Sequence, residues 1–416
     1  MFKKLKEKIS NKFKTFPRSD TIDFPEVNEG LKLILEEKKR LNFEVRTFNG
    51  SPSDPLNFPL ETRSCLLNSG NILISYFKRI RERNRGDLYS FLEIYSIPNL
   101  KLIQKYEFPF KEEGTIYFVT NAFQLKNGNV FAVFDRFYQF QGESIQEGPI
   151  FKSEKLDYSD FTERHEIEYY NMFDKLEKKV TVKGFSIGNY FEVKEGKILF
   201  ISKTNDKIRL FDPSEKSPKL KTIYQQKKSD SLFEKKTQSF DIILPSKYYP
   251  ENLYIVCNEV APSIPPSSSK LLIFNLNEFI DESSNNKEPL STMVISESKF
   301  ALGMCEYDKK YLLFDTLENG IYIFDMDTKT KVAVCDVEIN RPVSDSYKYA
   351  YQNLTRLESG HVFRNRRYGY GFGLVDIKKR KEKTCGDAWI DDAIIKGKYL
   401  IGIGPNTQMI VYQIYE

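Results

Sequence analysis

The chain has 416 residues, with 63 Lys and Arg against 58 Asp and Glu, and a formal net charge of +5. The first sixteen residues, in which Lys3, Lys4, Lys6, Lys8, Lys12 and Lys14 face only Glu7, carry +5 alone, so the rest is near neutral and suggests no nucleic-acid surface. No apolar run approaches the roughly 20 residues that span a bilayer, no continuous apolar h-region opens the chain, and the five scattered cysteines (Cys65, Cys257, Cys305, Cys335 and Cys385) lack any CxxC, which predicts reduced thiols in a cytoplasmic protein.

In chain order, the first predicted element is a basic amphipathic helix over residues 1–17. At about 100° per residue, Phe2, Leu5, Ile9, Phe13 and Phe16 fall in one sector of about 80°. Lys3, Lys4, Lys8 and Lys14 lie opposite, Lys6 and Lys12 flank the stripe where their stems can snorkel, and Pro17 ends the pattern. Such a segment suits an anionic membrane or a partner groove, and it can equally dock on its own fold. Its start, MFKKLKEKIS, resembles the extreme N-terminus of the trans-Golgi golgin tethers, which implies membrane traffic over residues 1–10 only. Residues 18–41 follow as a linker and a packing helix, because Leu31, Ile34, Leu35 and Leu41 recur at helical spacing.

From residue 42 onward one pattern recurs: an apolar stretch, a tight turn, a second apolar stretch, and a strand closing on an aromatic with a short polar residue. It reads FEVKEGKILFISKTNDKIRLFD from Phe191 and CEYDKKYLLFDTLENGIYIFD from Cys305. Seven turn anchors emerge, near Gly70, Gly128, Gly196, Asn252, Lys310, Gly360 and Gly397. About four short strands per ~50 residues is the mark of a propeller blade. In blade order the chain resembles the WD-repeat β-propeller family over residues 42–416: Glu195-Gly196 takes the place of the A–B hairpin, Asn205-Asp206-Lys207 the B–C turn, and Leu210-Phe211-Asp212 the end of strand C. No Gly-His pair opens a blade, and the closing Trp-Asp is replaced by pairs such as Phe211-Asp212 and Phe324-Asp325. The expected fold is therefore an all-β, seven-bladed propeller with short N-terminal helices. The last unit ends after its third strand, so NFEVRTF at residues 42–48 is expected to supply the fourth and close the ring.

Candidate chemistry is sparse, and neither a cofactor nor a metal site is expected. The two histidines, His165 in a polar stretch expected to be a solvated loop and His361 after a hairpin turn, fit no HExxH zinc site and no serine triad. No phosphate loop is present, and GYGFG near Gly369 reads as a turn with close packing. The enzyme alternative is a hydrolase or lactonase-like ring with its site at the central channel, to which Asp391 and Asp392 beside Trp389 would contribute; paired aspartates before a strand are more simply an exposed turn.

Two basic clusters remain. Lys78, Arg79, Arg81, Arg83 and Arg85 form a predicted interaction face, and Arg364, Arg366 and Arg367 a possible anion contact. The second cluster faintly resembles the Phe-Arg-Arg-Gly motif of phosphoinositide-binding propellers, which makes lipid sensing a further alternative. Insertions at residues 78–87, after Gln141 and at 261–269 all interrupt the B–C hairpin of different units. In WD-type rings the B–C and D–A loops share one face, so protein partners are expected there, on a non-catalytic scaffold that the N-terminal helix recruits to a membrane.

Overall fold

The computed structural model describes residues 34–42, 63–108 (without 83–84), 115–139 (without 127 and 129), 161–202 (without 172–174 and 184–186), 207–225 (without 213 and 217–218), 237–335 (without 261–267, 284–286, 298–299 and 317–319), 337, 354–403 (without 366–369 and 390–391) and 408–415. Strands dominate them, and the one α-helix is a five-residue turn, α1 (Leu276–Ile280), capped by the Asn275 side chain.

After β1 (Ile34–Asn42), six contiguous antiparallel sheets of four strands follow along the chain. The first holds β2 (Arg63–Leu66), β3 (Ile72–Glu82), β4 (Arg85–Tyr95) and β5 (Leu102–Phe108). The second holds β6 (Thr115–Gln124), β7 (Val130–Gln139), β8 (Phe161–Asn171) and β9 (Lys175–Lys183). The third holds β10 (Ile187–Glu192), β11 (Ile198–Ser202), β12 (Lys207–Phe211) and β13 (Lys221–Gln225). The fourth holds β14 (Thr237–Pro245), β15 (Asn252–Val260), β16 (Ser268–Asn275) and β17 (Ser291–Ser296). The fifth holds β18 (Ala301–Glu306), β19 (Tyr311–Thr316), β20 (Gly320–Asp325) and β21 (Thr330–Cys335), and the sixth β22 (Leu354–Arg356), β23 (Val362–Asn365), β24 (Tyr370–Asp376) and β25 (Lys381–Trp389). A closing sheet joins β26 (Asp392–Lys396), β27 (Tyr399–Ile403) and β28 (Gln408–Tyr415) to β1, in the order β1-β28-β27-β26. Strands are lettered A to D in each sheet from the leading strand outward, with β1 as strand D of the closing sheet.

The leading strands stand side by side around an axis: β2 beside β26 and β6, β10 beside β14, β14 beside β18, and β18 beside β22. This is a β-propeller. Each turn anchor read from the sequence lies in the A–B hairpin of a different sheet. Gly70, Gly128, Gly196, Gly360 and Gly397 hold left-handed backbone there, with φ between 50° and 91°, a conformation costly for residues with a Cβ.

Neighbouring sheets pack face to face through fully buried side chains. Leu199, Ile201 and Leu210 of the third sheet meet Phe240, Leu253 and Phe274 of the fourth. Tyr311, Leu313 and Ile323 of the fifth meet Leu354, Val362 and Val375 of the sixth. Ile401, Met409 and Val411 of the closing sheet meet Ile72, Ile74 and Tyr95 of the first. Each such side chain contributes about 1.5–3 kcal/mol. Gly320 opens β20 at φ 90°, where an added Cβ would meet the Cys335 carbonyl oxygen. Gly320→Ala is expected to cost about 2 kcal/mol or more, read as a lower urea midpoint.

The sequence expectations need three corrections. The predicted packing helix is strand from Ile34 onward, because its hydrogen-bonding partner is the open edge of β28. Ring closure by an N-terminal strand holds in kind, but the strand is β1 rather than residues 42–48; residues 43–48 lie outside the described residues. The stretch around His165, expected as a loop, is β8, with His165 opposite Asp135. The basic segment at residues 1–17, with Phe2, Leu5, Ile9, Phe13, Phe16, Lys3, Lys4 and Lys8, also lies outside the described residues.

Candidate interaction face

The two ends of the sheets are built differently. At the A–B end the A–B turns are short and tied to one another. Lys396 Nζ donates to the Gly70 carbonyl oxygen, the Asn68 amide to Gln124 Oε1 (2.8 Å), and the Lys126 amide to Glu192 Oε2 (2.9 Å). Tyr249 Oη donates to the Lys309 carbonyl (3.1 Å) and Tyr307 Oη to that of Gly360 (2.9 Å). These bonds link the closing sheet to the first, second and third, and the fourth to the fifth and sixth.

At the B–C end three hairpins outgrow their neighbours. β3 and β4 have 11 residues each, β7 10, β8 11, β15 9 and β16 8, whereas β11 and β12 have 5 each and β19 and β20 6 each. At about 3.4 Å per residue, the first hairpin overhangs the shortest one by roughly 20 Å. β2 pairs with β3 only as far as Ser75, and β5 with β4 only from Ser90. Among the described residues, the pairs from Lys78↔Tyr89 to Glu82↔Arg85 therefore form a two-stranded ribbon. Four predicted interaction residues sit on it: Lys78, Arg79 and Arg81 on β3, and Arg85 at the start of β4. Arg83 falls in the tip outside the described residues. Residues 43–62, 140–160, 226–236, 261–267 and 338–353 join strands at this same end, while the connection at residues 276–290, which carries α1, joins β16 to β17 at the other.

Buried polar groups mark this end inside the ring. Arg364 on β23 reaches into the boundary between the fifth and sixth sheets. Its Nε donates to Asp315 Oδ2 (2.6 Å) and its Nη2 to Asp315 Oδ1 (3.0 Å), while Nη1 lies 3.4 Å from Glu382 Oε1. All three side chains are buried. Although burial opposes its charge, the two carboxylates hold the guanidinium above its ordinary pKa. Gly373 makes the arrangement possible, since a Cβ there would occupy the path of the Glu382 side chain. At the boundary between the fourth and fifth sheets the polar cluster is neutral at its centre: the Ala301 amide donates to Asn258 Oδ1 (3.1 Å) and Ser269 Oγ (2.8 Å), and Asn258 Nδ2 donates to the Ala301 carbonyl (3.0 Å) and to Asp241.

The anion contact expected for Arg364 is thereby corrected. Its guanidinium fork is taken up inside the protein, and Arg366 and Arg367 lie outside the described residues. The acid partners, Asp315 and Glu382, were missed because they lie 49 and 18 positions away on other strands. Asp392 opens β26, and Asp391 is outside the described residues. His361 Nδ1 stands 3.2 Å from Ser359 Oγ in an A–B turn. Cys257, Cys305 and Cys335 are buried, and burial pushes Cys305 up to about 11, away from nucleophilic use. Among the described residues no group of three His, Cys, Asp or Glu side chains is placed to hold a metal ion, and no helix is long and apolar enough to cross a membrane.

No family model matches the chain, and no curated protein matches it. Among solved structures it is similar to a catalytically inactive virginiamycin B lyase from Staphylococcus aureus with quinupristin, at 12% identity and a TM-score of 0.47, over 92% of this chain and 100% of that one. At that level the likeness carries no argument about function.

Proposed function

We propose that the protein is a non-catalytic interaction scaffold: a seven-bladed, degenerate relative of the WD-repeat rings, closed by an N-terminal strand. It docks protein partners on its B–C face and is brought to the periphery of a membrane from the cytoplasm by its basic N-terminal segment. The observation that carries this reading is the one-sided growth of the ring, with its long hairpins and most of its long connections gathered at one end and short, mutually bonded A–B turns at the other. Function-bearing loops on a rigid frame have this distribution. The basic ribbon of β3 and β4 is the contact element, and carboxylate-rich partner surfaces are its match.

The test is proximity labelling in cells with the full chain and with Arg79→Glu/Arg81→Glu. The variant is expected to lose labelling of its protein neighbours by about tenfold, because reversing rim charges slows encounter and opposes docking, with an unchanged melting curve. An identical set of labelled neighbours at undiminished yield would show that partners dock elsewhere.

A further inference from the structure

The A–B end, which the scaffold reading leaves unused, has a chemistry of its own. Every sheet places an exposed lysine in its A–B or C–D turns: Lys101, Lys126, Lys194, Lys247, Lys309, Lys379 and Lys398. Across the described turns of this end, twelve exposed lysines stand against seven exposed carboxylates, and four of the seven belong to the single connection at residues 276–290. Lys247, Lys310 and Lys398 each lie over the ring of the tyrosine that follows, 5.3–5.7 Å from its centroid. Apolar exposure is biased the same way. Of the five exposed large hydrophobic side chains among the described residues, Leu66, Leu102, Ile103 and Leu290 lie at this end of their strands.

The chain itself supplies the third observation. β1 enters the closing sheet with Ile34 opposite Tyr415, and the Ile414 amide bonds the Lys398 carbonyl of the A–B turn. The chain therefore enters the closing sheet at Ile34 from the lysine-bearing end and not from the end of the long hairpins.

We infer that the A–B end is a membrane-apposed surface for anionic lipid headgroups, acting together with the N-terminal segment and leaving the B–C end turned away from the bilayer. This rests on the membrane-recruitment part of the proposed function. Exposed lysines spread over the turns of every sheet match a planar anionic surface; an acidic peptide would engage one groove or one sector. Two weak signals, an amphipathic segment and a polybasic surface, are what stable peripheral attachment needs.

The experiment is sedimentation of the full chain with phosphatidylcholine vesicles, with and without phosphatidylserine. It compares the native chain, Lys101→Glu/Lys126→Glu/Lys247→Glu/Lys309→Glu/Lys398→Glu, the corresponding Gln variant, and a chain lacking residues 1–17. Native protein is expected to bind only the anionic vesicles and to be released by salt. The Gln variant is expected to bind roughly 3,000-fold more weakly and the Glu variant more weakly still, at an unchanged melting temperature, since each of the five lysines near the surface is worth about fivefold. Native binding that neither lysine variant weakens would overturn the assignment of this end while leaving recruitment intact. No binding by the native chain would overturn both. Undiminished vesicle binding by the variants, with loss of binding to immobilised polyglutamate, would assign the lysines to an acidic protein instead.

Discussion

Replacing Arg364 by alanine is expected to lower the stability of the ring by about 3–5 kcal/mol, because it leaves two buried carboxylates without their cation. The side chains of Asp315 and Glu382 are buried. Arg364→Lys is expected to recover only part of the loss, since an ammonium cannot make the two parallel bonds to Asp315 at 2.6 and 3.0 Å. The measurement is the urea midpoint of each variant, followed by a double-mutant cycle with Asp315→Ala. The double variant should cost much less than the sum of the singles, because removing both partners relieves the buried charge that either single leaves behind. Additive losses below about 1 kcal/mol each would show that the pair is not a stabilising unit. Gly373→Ala should act through the same group, by displacing the Glu382 side chain from its place beside Arg364.

The same network shows where a sequence stops being readable. The turns are legible because their requirement is local: a left-handed residue between two apolar strands selects glycine, and Gly70, Gly196 and Gly360 stand where the pattern demands. The B–C location of the long insertions follows from that count and needs no tertiary information. Arg364 is different. Within its own stretch it reads as one arginine of a solvated basic run, and only the packing of the fifth sheet against the sixth turns it inward to Asp315. β1 fails for a related reason. A bulge between Glu37 and Lys39 breaks the two-residue alternation in the middle of the strand, so a stretch of good helix formers shows no strand period, and the open edge of β28 decides its conformation. The lysine-bearing end was invisible for a third reason: its lysines lie singly in turns tens of residues apart, and only ring closure gathers them on one surface.

Removal of residues 1–42 is expected to lower stability and promote self-association, whereas removal of residues 1–33 should leave both properties unchanged. The shorter deletion keeps every backbone pair from Ile34↔Tyr415 to Asn42↔Gln408. The longer one strips them all, a loss on the order of 5 kcal/mol from the hydrogen bonds alone. What it uncovers matters as much. β28 is among the most apolar strands of the ring, with Met409, Ile410, Val411, Tyr412 and Ile414 all buried, and as an outermost strand it would offer unpaired backbone groups along an apolar, nearly charge-free ladder. Light scattering and thermal melts compare the two deletions. Adding a synthetic peptide of residues 30–42 to the longer deletion should restore the melting temperature and suppress association, because an extended segment can complete a free sheet edge from outside the chain. If the two deletions melt together and both stay monomeric, the ring does not depend on β1 for closure. If instead the peptide rescues, the strand that locks the ring is also the one that ties the basic N-terminal segment to it, so any pull on that segment is borne by the closing sheet.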